Sequence, residues 1–232
     1  MLFLEVVNLS VSDLNFVKEV LPFWSKLDEE EKRFAEEKTV ERCYSKGQII
    51  HDGEDCTGLL LVKSGQLRIF ILSETGKEIT LFRLFDYDVC ILSSSCILRN
   101  ITFNIHVEAE KNSEIFLMPS AVFKRLSEAN PAVKAFEAEI VSARLSDVMW
   151  ILEQVVFMSM DKRLASFLME QSFIEKSDEL LITHDTIARN IGTAREVISR
   201  MLKYFENEGL VTLNRGKVIL TDKKRLMEHA EK

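Results

Sequence analysis

The sequence predicts an α+β chain in three parts: an N-terminal antiparallel β-roll of jelly-roll type with flanking helices over residues 1–130, one long helix with a following hinge over 131–160, and a winged helix-turn-helix over 161–232. Three observations carry this. Between residues 40 and 119 short apolar runs alternate with turn residues, and five of the eight glycines fall between 47 and 76, which is the rhythm of a small antiparallel sandwich or barrel. From Asn130-Pro131 onward the apolar residues recur at helical spacing as far as residue 157. Residues 183–205, THDTIARNIGTAREVISRMLKYF, divide into two short amphipathic helices about Gly192.

Taken in order, residues 9–38 read as helical, with a turn at Pro22-Phe23-Trp24. Asp28 followed by Glu31 has the spacing of a capping box and opens a charged helix that runs to Lys38. Strands are expected over 49–51, 59–63, 67–72, 79–84, 101–109 and 114–118, and Glu74-Thr75-Gly76-Lys77 is a hairpin turn between two of them. Asn130 is placed as the cap of the long helix and Pro131 as its first residue, where a missing N–H costs nothing. Along that helix Ala138, Val141, Leu145, Val148, Leu152 and Val155 follow a heptad spacing, the pattern of a helix that meets a twin. The alternative is that this face packs on the chain's own β-domain. With the seam given to a second copy, Phe136, Ile140, Met149 and Val156 are left for packing within the chain. Residues 158–161 interrupt the helix as a hinge, and 163–173 form another amphipathic helix.

In 183–205, Thr183 and Thr193 are placed as the caps of the two helices. Ile187, Ala188 and Ile191 line one buried face, and Val197, Ile198, Met201, Leu202 and Phe205 line the other. Arg195, Glu196, Ser199 and Arg200 remain outside. Such side chains read base edges: arginine binds guanine in bidentate fashion, and glutamate accepts from the cytosine amino group. A hairpin about Arg215-Gly216 follows as a wing, and Thr183, Thr193, Arg215 and Lys217 are assigned to the DNA backbone. The net charge of −7 argues against nucleic acid only as a whole-chain sum, because residues 189–225 hold nine Lys/Arg against four Asp/Glu, and DNA affinity follows the local field.

Composition excludes several classes. With 47% hydrophobic and 29% charged residues the chain is neither disordered nor unusually polar. No run of 18 apolar residues would span a membrane, and the start MLFLEVVNLSV is a poor signal peptide, so a cytoplasmic location is expected. The four cysteines (Cys43, Cys56, Cys90, Cys96) are too few for a disulfide framework in a chain of 232 residues and are read as free thiols. HExxH, GxSxG, Walker A and CxxC patterns are absent, and His184-Asp185 is read as a solvated helix start, so no enzyme is expected. The competing non-enzymatic reading is a cyclic-nucleotide-like ligand-binding module that regulates a partner protein. It leaves the exposed face of Arg195, Glu196 and Arg200 unexplained.

The order of roll, long helix, helix-turn-helix and wing resembles the Crp/Fnr superfamily of bacterial transcription regulators. The resemblance covers residues 20–221 and rests most on IARNIGTAREVISR (187–200) and on Gly47-Gln48-Ile49-Ile50 with Val62-Lys63-Ser64-Gly65. It implies a homodimer on palindromic double-stranded DNA. The family's R-E-x-x-x-R pattern is matched by Arg195, Glu196 and Arg200, and Ser199 makes the variant that looks like the Fnr branch, with a TGA-containing half-site. It also implies that the 174–179 loop meets RNA polymerase. Two departures matter. The stretch YDVCILSSSC (87–96) lacks the Gly-Glu of the cyclic-nucleotide phosphate cassette, and Phe103 falls near its arginine, so cyclic AMP is not expected. No cysteine precedes Cys43, so the N-terminal iron–sulfur cluster of Fnr is not expected either. An effector pocket for a small molecule is placed at Cys90, Ser93, Ser94, Ser95, Cys96 and Phe103. Cys90 and Cys96 are read either as a redox-active or metal-responsive thiol pair or as buried apolar residues, with haem through His51, His106 or a cysteine as a further alternative.

Overall fold

A computed structural model describes residues 11–53, 56–94 and 104–231. It divides into two compact units, one of residues up to 71 together with 81–148, the other of residues 72–80 with 149 onward.

In the first unit, α1 (Val11–Val20) and α2 (Glu29–Lys38) precede the roll. The capping box is formed: the Glu31 N–H donates to Asp28 at 2.8 Å, and the Asp28 N–H donates to the Glu31 carboxylate at 2.9 Å. The roll consists of β1 (Val40–Tyr44), β2 (Ile49–His51), β3 (Leu59–Ser64), β4 (Leu67–Leu72), β5 (Glu78–Leu84), β6 (Val89–Cys90), β7 (His106–Ala109) and β8 (Ser113–Met118). They form two four-stranded sheets, in the orders β1-β8-β3-β6 and β2-β7-β4-β5. The central strand β3 pairs with β8 in the register Leu60↔Leu117 and Leu61↔Phe116. Its Leu59, Leu60, Leu61 and Val62 are all buried, which is why its sequence is a continuous apolar run rather than an alternation.

β4 alternates instead. Leu67 and Ile69 enter the apolar core, whereas Arg68 and Phe70 share the other face, with the guanidinium 4.1 Å from the ring centroid. On the same sheet Arg68 pairs with Glu108 at 3.4 Å and Arg83 with Glu110 at 2.7 Å. Burial raises the Glu110 carboxyl, but the charge and hydrogen bonds of Arg83 and the bond from Gln66 outweigh it and leave Glu110 below the usual carboxylate range.

After the roll come α3 (Ser120–Ala129) and α4 (Pro131–Phe157). The Asn130 side chain accepts from the Ala132 N–H at 3.0 Å, so the predicted Asn-Pro start is built as expected. Phe136 and Ile140 pack into the roll core. Met149 and Val156 do not serve packing within the chain as the spacing suggests: they are 52% and 57% exposed. Among the described residues the C-terminal end of α4 leaves several large apolar side chains exposed, Trp150 and Phe157 with them, which sequence periodicity does not reveal.

The second unit contains α5 (Met160–Glu175), β9 (Glu179–Leu180), α6 (His184–Ile191), α7 (Arg195–Asn207), β10 (Val211–Asn214), β11 (Lys217–Leu220) and α8 (Lys223–Glu231). Its core is drawn from every one of these elements, including Leu168, Ile187, Ile198, Leu202, Phe205 and Leu226. The three strands form one sheet in the order β10-β11-β9. The buried Arg163 of α5 donates to the Ile191 carbonyl, supplying a donor to a helix end that has no further N–H of its own.

Several elements lie outside the sequence expectations: β1, β6, β9, α3 and α8. β6 and β9 have two residues each, too few for any periodicity. The strand expected over 101–109 is found over His106–Ala109, and residues 101–103 lie outside the described residues. The reading of all cysteines as free is corrected. Cys43 and Cys90 are free thiols, but Cys56 is disulfide-bonded. A cysteine count carries no information about which loops the fold brings together.

Candidate nucleic-acid interface

The two helices of the motif are joined as the sequence requires. Thr183 caps α6, its hydroxyl oxygen accepting from the Thr186 N–H at 3.1 Å. Gly192 follows the helix at φ +70°, a left-handed conformation that a side chain would strain, and Ile79 packs within 3.2 Å of where a Cβ would stand. Thr193 is not the cap of α7. Its N–H donates to the Ala188 carbonyl at 3.0 Å and so completes the turn that ends α6. The residue in the cap position is Ala194, which has no side-chain cap bond.

Within α7, Ile198, Leu202 and Phe205 are buried, and Val197 and Met201 are half-buried. The predicted outer face divides unequally. Arg195, Glu196 and Arg200 are exposed, whereas Ser199 is half-buried. Its Oγ lies 2.9 Å from Nδ1 of His184 in the first turn of α6. Asp185, the next residue, stands 3.6 Å from Nε of Arg195. Glu196 lies in the first turn of α7, where the positive end of the helix dipole favours a carboxylate.

The wing is a tight hairpin with Leu213 opposite Val218 and Asn214 opposite Lys217. Arg215 is exposed at its tip, and Gly216 takes the positive φ, +73°. Lys217 is tied to Glu179 of β9 at 2.5 Å. Other basic residues of the module are paired in the same way: Arg189 with Glu78, Lys203 with Glu206, Lys223 with Asp178 and Arg225 with Glu208. Among the described residues Arg200, Arg215 and Lys224 make no ion pair. Pairs at an exposed surface are worth little, so these cations can exchange partners at small cost. Within the same unit Thr80 donates to the buried Asn190 at 2.7 Å, fixing the C-terminal half of α6.

The heptad residues of α4 fall into two groups. Leu145, Leu152 and Val155 are exposed at 61%, 50% and 44%. Ala138 is also exposed, while Val141 and Val148 are half-buried against the roll core. Trp150 and Phe157 extend the apolar surface beyond the heptad.

Of the expected effector residues, Cys90 is fully buried in β6, and burial pushes its thiol up, the opposite of what a reactive thiolate needs. Ser93 is also buried and donates to the Gly58 carbonyl at 2.7 Å. Ser94 closes a short 3-10 turn, Leu92–Ser94; Ser95, Cys96 and Phe103 lie outside the described residues. His51 is held by Thr57 at 2.8 Å, and His106 stacks on Phe70 with centroids 5.1 Å apart. Sequence reasoning missed Arg144. From α4 it donates to the Val89 carbonyl at 3.3 Å, pairs with Asp147 at 2.8 Å and lies over the Phe82 ring. Its only sequence signal is a charge on the side of the helix that faces the roll.

A glycine-jointed helix pair with an outward Arg-Glu-Arg face, a wing beside it and an antiparallel roll in the same chain together define a DNA-binding transcription regulator with a ligand-binding-type domain. Comparison with known proteins agrees. A Crp-like helix-turn-helix domain matches residues 162–229 and a cyclic nucleotide-binding domain matches residues 41–130. The chain is 48% identical to a solved protein from Eubacterium rectale assigned to the Crp/Fnr family of transcriptional regulators, covering 92% of this chain and all of that one with a TM-score of 0.90. This chain belongs to the Crp/Fnr family. It is also 23% identical to the cAMP-activated global transcriptional regulator CRP of Pasteurella multocida, over 76% of this chain and 86% of that protein. To the regulatory protein HlyX of Actinobacillus pleuropneumoniae it is 26% identical, over 75% of this chain and 74% of the relative.

Proposed function

We propose that the protein acts in the cytoplasm as a homodimer that reads a palindromic DNA site, controlled by an effector or redox signal in the roll. The observation that carries this is the outward face of α7, where Arg195, Glu196 and Arg200 stand exposed at the start of a helix whose other face is buried. Arg195 and Arg200 take guanine edges, Glu196 takes a cytosine amino group and Ser199 a further base. Thr183, Thr193, Arg215 and Lys217 position the backbone. The exposed part of the α4 seam, Leu145, Leu152 and Val155, meets its copy, with Ala138, Val141 and Val148 completing the line. The break at Met158-Ser159 between α4 and α5 is the hinge through which the two recognition helices reach successive major grooves, about 34 Å apart.

The effector in this reading is not cyclic AMP. The Asp88 carboxylate is spent on the Phe85 N–H at 2.8 Å, in the sequence the family's arginine position falls near Phe103, and Arg144 already has Asp147. A cyclic phosphate buried there would lack its cation. The free, buried Cys90 favours a small-molecule effector over thiol chemistry at that residue. RNA polymerase is offered the 174–179 stretch, which exposed Phe173 and Leu181 flank. DNA-site selection with the purified protein, with and without cell extract, tests the whole reading. The expected result is an inverted repeat of TGA-containing half-sites, with extract dependence reporting the effector; selection of no common sequence under either condition overturns it.

A further inference from the structure

We infer that His184, which need not touch DNA, sets the base preference of Ser199 by fixing which way its hydroxyl hydrogen points. The inference rests on the reading of α7 as the recognition helix. A serine inside a helix can return its hydroxyl to the carbonyl four residues back, and two serines of α4 do so: Ser142 to Ala138 at 2.8 Å and Ser146 to Ser142 at 3.3 Å. Ser199 turns instead to Nδ1 of His184, at 2.9 Å. It lies one turn beyond Arg195 and beside Arg200, in the row of side chains that faces the bases.

A serine hydroxyl has one hydrogen and two lone pairs, and each ring nitrogen of a neutral histidine is either donor or acceptor. When Nδ1 accepts, the hydroxyl hydrogen is consumed and Ser199 shows a base only lone pairs, which suit the amino group of adenine or cytosine. When Nδ1 donates, the hydrogen is free for guanine O6 or thymine O4. His184 therefore decides the polarity of the contact. The side chain is held for that task. Thr183 caps the helix it begins, and its neighbour Asp185 faces Arg195, so the first turn of α6 reaches two of the four base-facing residues. His184 is a specificity-determining positioning residue.

The test is binding of the full-length protein to its selected site and to the set of single-base variants of each half-site. His184→Ala and Ser199→Ala are each expected to flatten the preference at one and the same base pair by about fivefold, the scale of a single hydrogen bond, with the other positions unchanged. The double variant should lose no more than either single one. His184→Asn, whose amide places a polar atom near the position of Nδ1, should retain a preference at that base pair, and unchanged thermal melting confirms that the variants fold. Equal weakening on every sequence, including random DNA, overturns the inference, as does loss at two different base pairs or an additive double variant. If the native protein selects no site, the recognition-helix reading fails with it; if it selects a site that Arg195→Ala abolishes while His184→Ala changes nothing, only this inference fails.

Discussion

On one sheet of the roll Arg68 and Arg83 are buried against their carboxylates, whereas the ion pair beside the recognition helix, Arg195 with Asp185, stands at the surface. The Arg83 and Glu110 side chains are 5% and 22% exposed, while those of Arg195 and Asp185 are each 62% exposed. Charge has a different role in each case. A buried pair must be complete, because removing one partner leaves an uncompensated ion in a poor solvent. An exposed pair costs little to separate, so its cation can be handed to a phosphate or a base. The buried Arg83–Glu110 pair keeps a shape, and the exposed Arg195–Asp185 pair is ready to exchange.

The largest expected effect follows from the buried case. Arg83→Ala should destabilise the roll by about 3 kcal/mol, read as a lowered denaturant midpoint. The effect should fade in acid. The folded-state pKa of Glu110 is depressed, so its contribution is fully present above the unfolded value of about 4.3 and is lost as pH falls through the folded value. A native-like midpoint for Arg83→Ala at neutral pH would remove the contrast between the two units.

Next is the seam. Leu145→Glu with Leu152→Glu places charges where two helices are proposed to meet, on residues already exposed in the single chain. Sedimentation should change from dimer to monomer with the fold intact. Affinity for the selected palindrome should fall about a hundredfold, because the second half-site is no longer tethered to the first. A variant that still sediments as the native protein does would assign the exposed strip to something other than a twin.

How much of this was legible in the sequence follows the same division. The helix-turn-helix could be read because its rules are local. The cap at Thr183, the turn at Gly192 and the buried face of α7 each depend on residues within a few positions. Thr193 is not the cap because α7 begins at Arg195, which puts Ala194 in the cap position, while the Thr193 N–H closes the turn after α6; a one-residue shift of this kind is set by the backbone and not by residue type. The partner of Ser199 is not legible in the sequence, since His184 lies 15 positions away. In the roll the long apolar strands were legible, but β1, with Glu41 and Arg42 among its five residues, was not, because pairing with β8 rather than apolar alternation makes it a strand. The approach of Arg144 to β6 is non-local for the same reason.

In the C-terminal unit, Arg195→Ala should weaken specific binding by about 1–3 kcal/mol and relax one base position, while leaving random-sequence binding nearly unchanged. Measuring both on the same preparation separates base reading from phosphate attraction. Equal loss on both DNAs would make Arg195 one more exchangeable surface cation.

The smallest effect is at the wing, where two cations differ in a way that tests the exchange idea directly. Arg215 stands exposed at the tip, whereas Lys217 is already neutralised by Glu179 at 2.5 Å. Each phosphate contact contributes about −0.9 to the slope of log affinity against log salt. Arg215→Ala should therefore reduce the slope by nearly that amount. Lys217→Ala should reduce it by less, because Lys217 must leave a carboxylate before it can meet a phosphate, and Glu179→Gln should bring the Lys217 contribution up toward that of Arg215. If the two wing variants shift the slope equally with Glu179 present, the surface pair does not compete with DNA, and the wing cations count only by position.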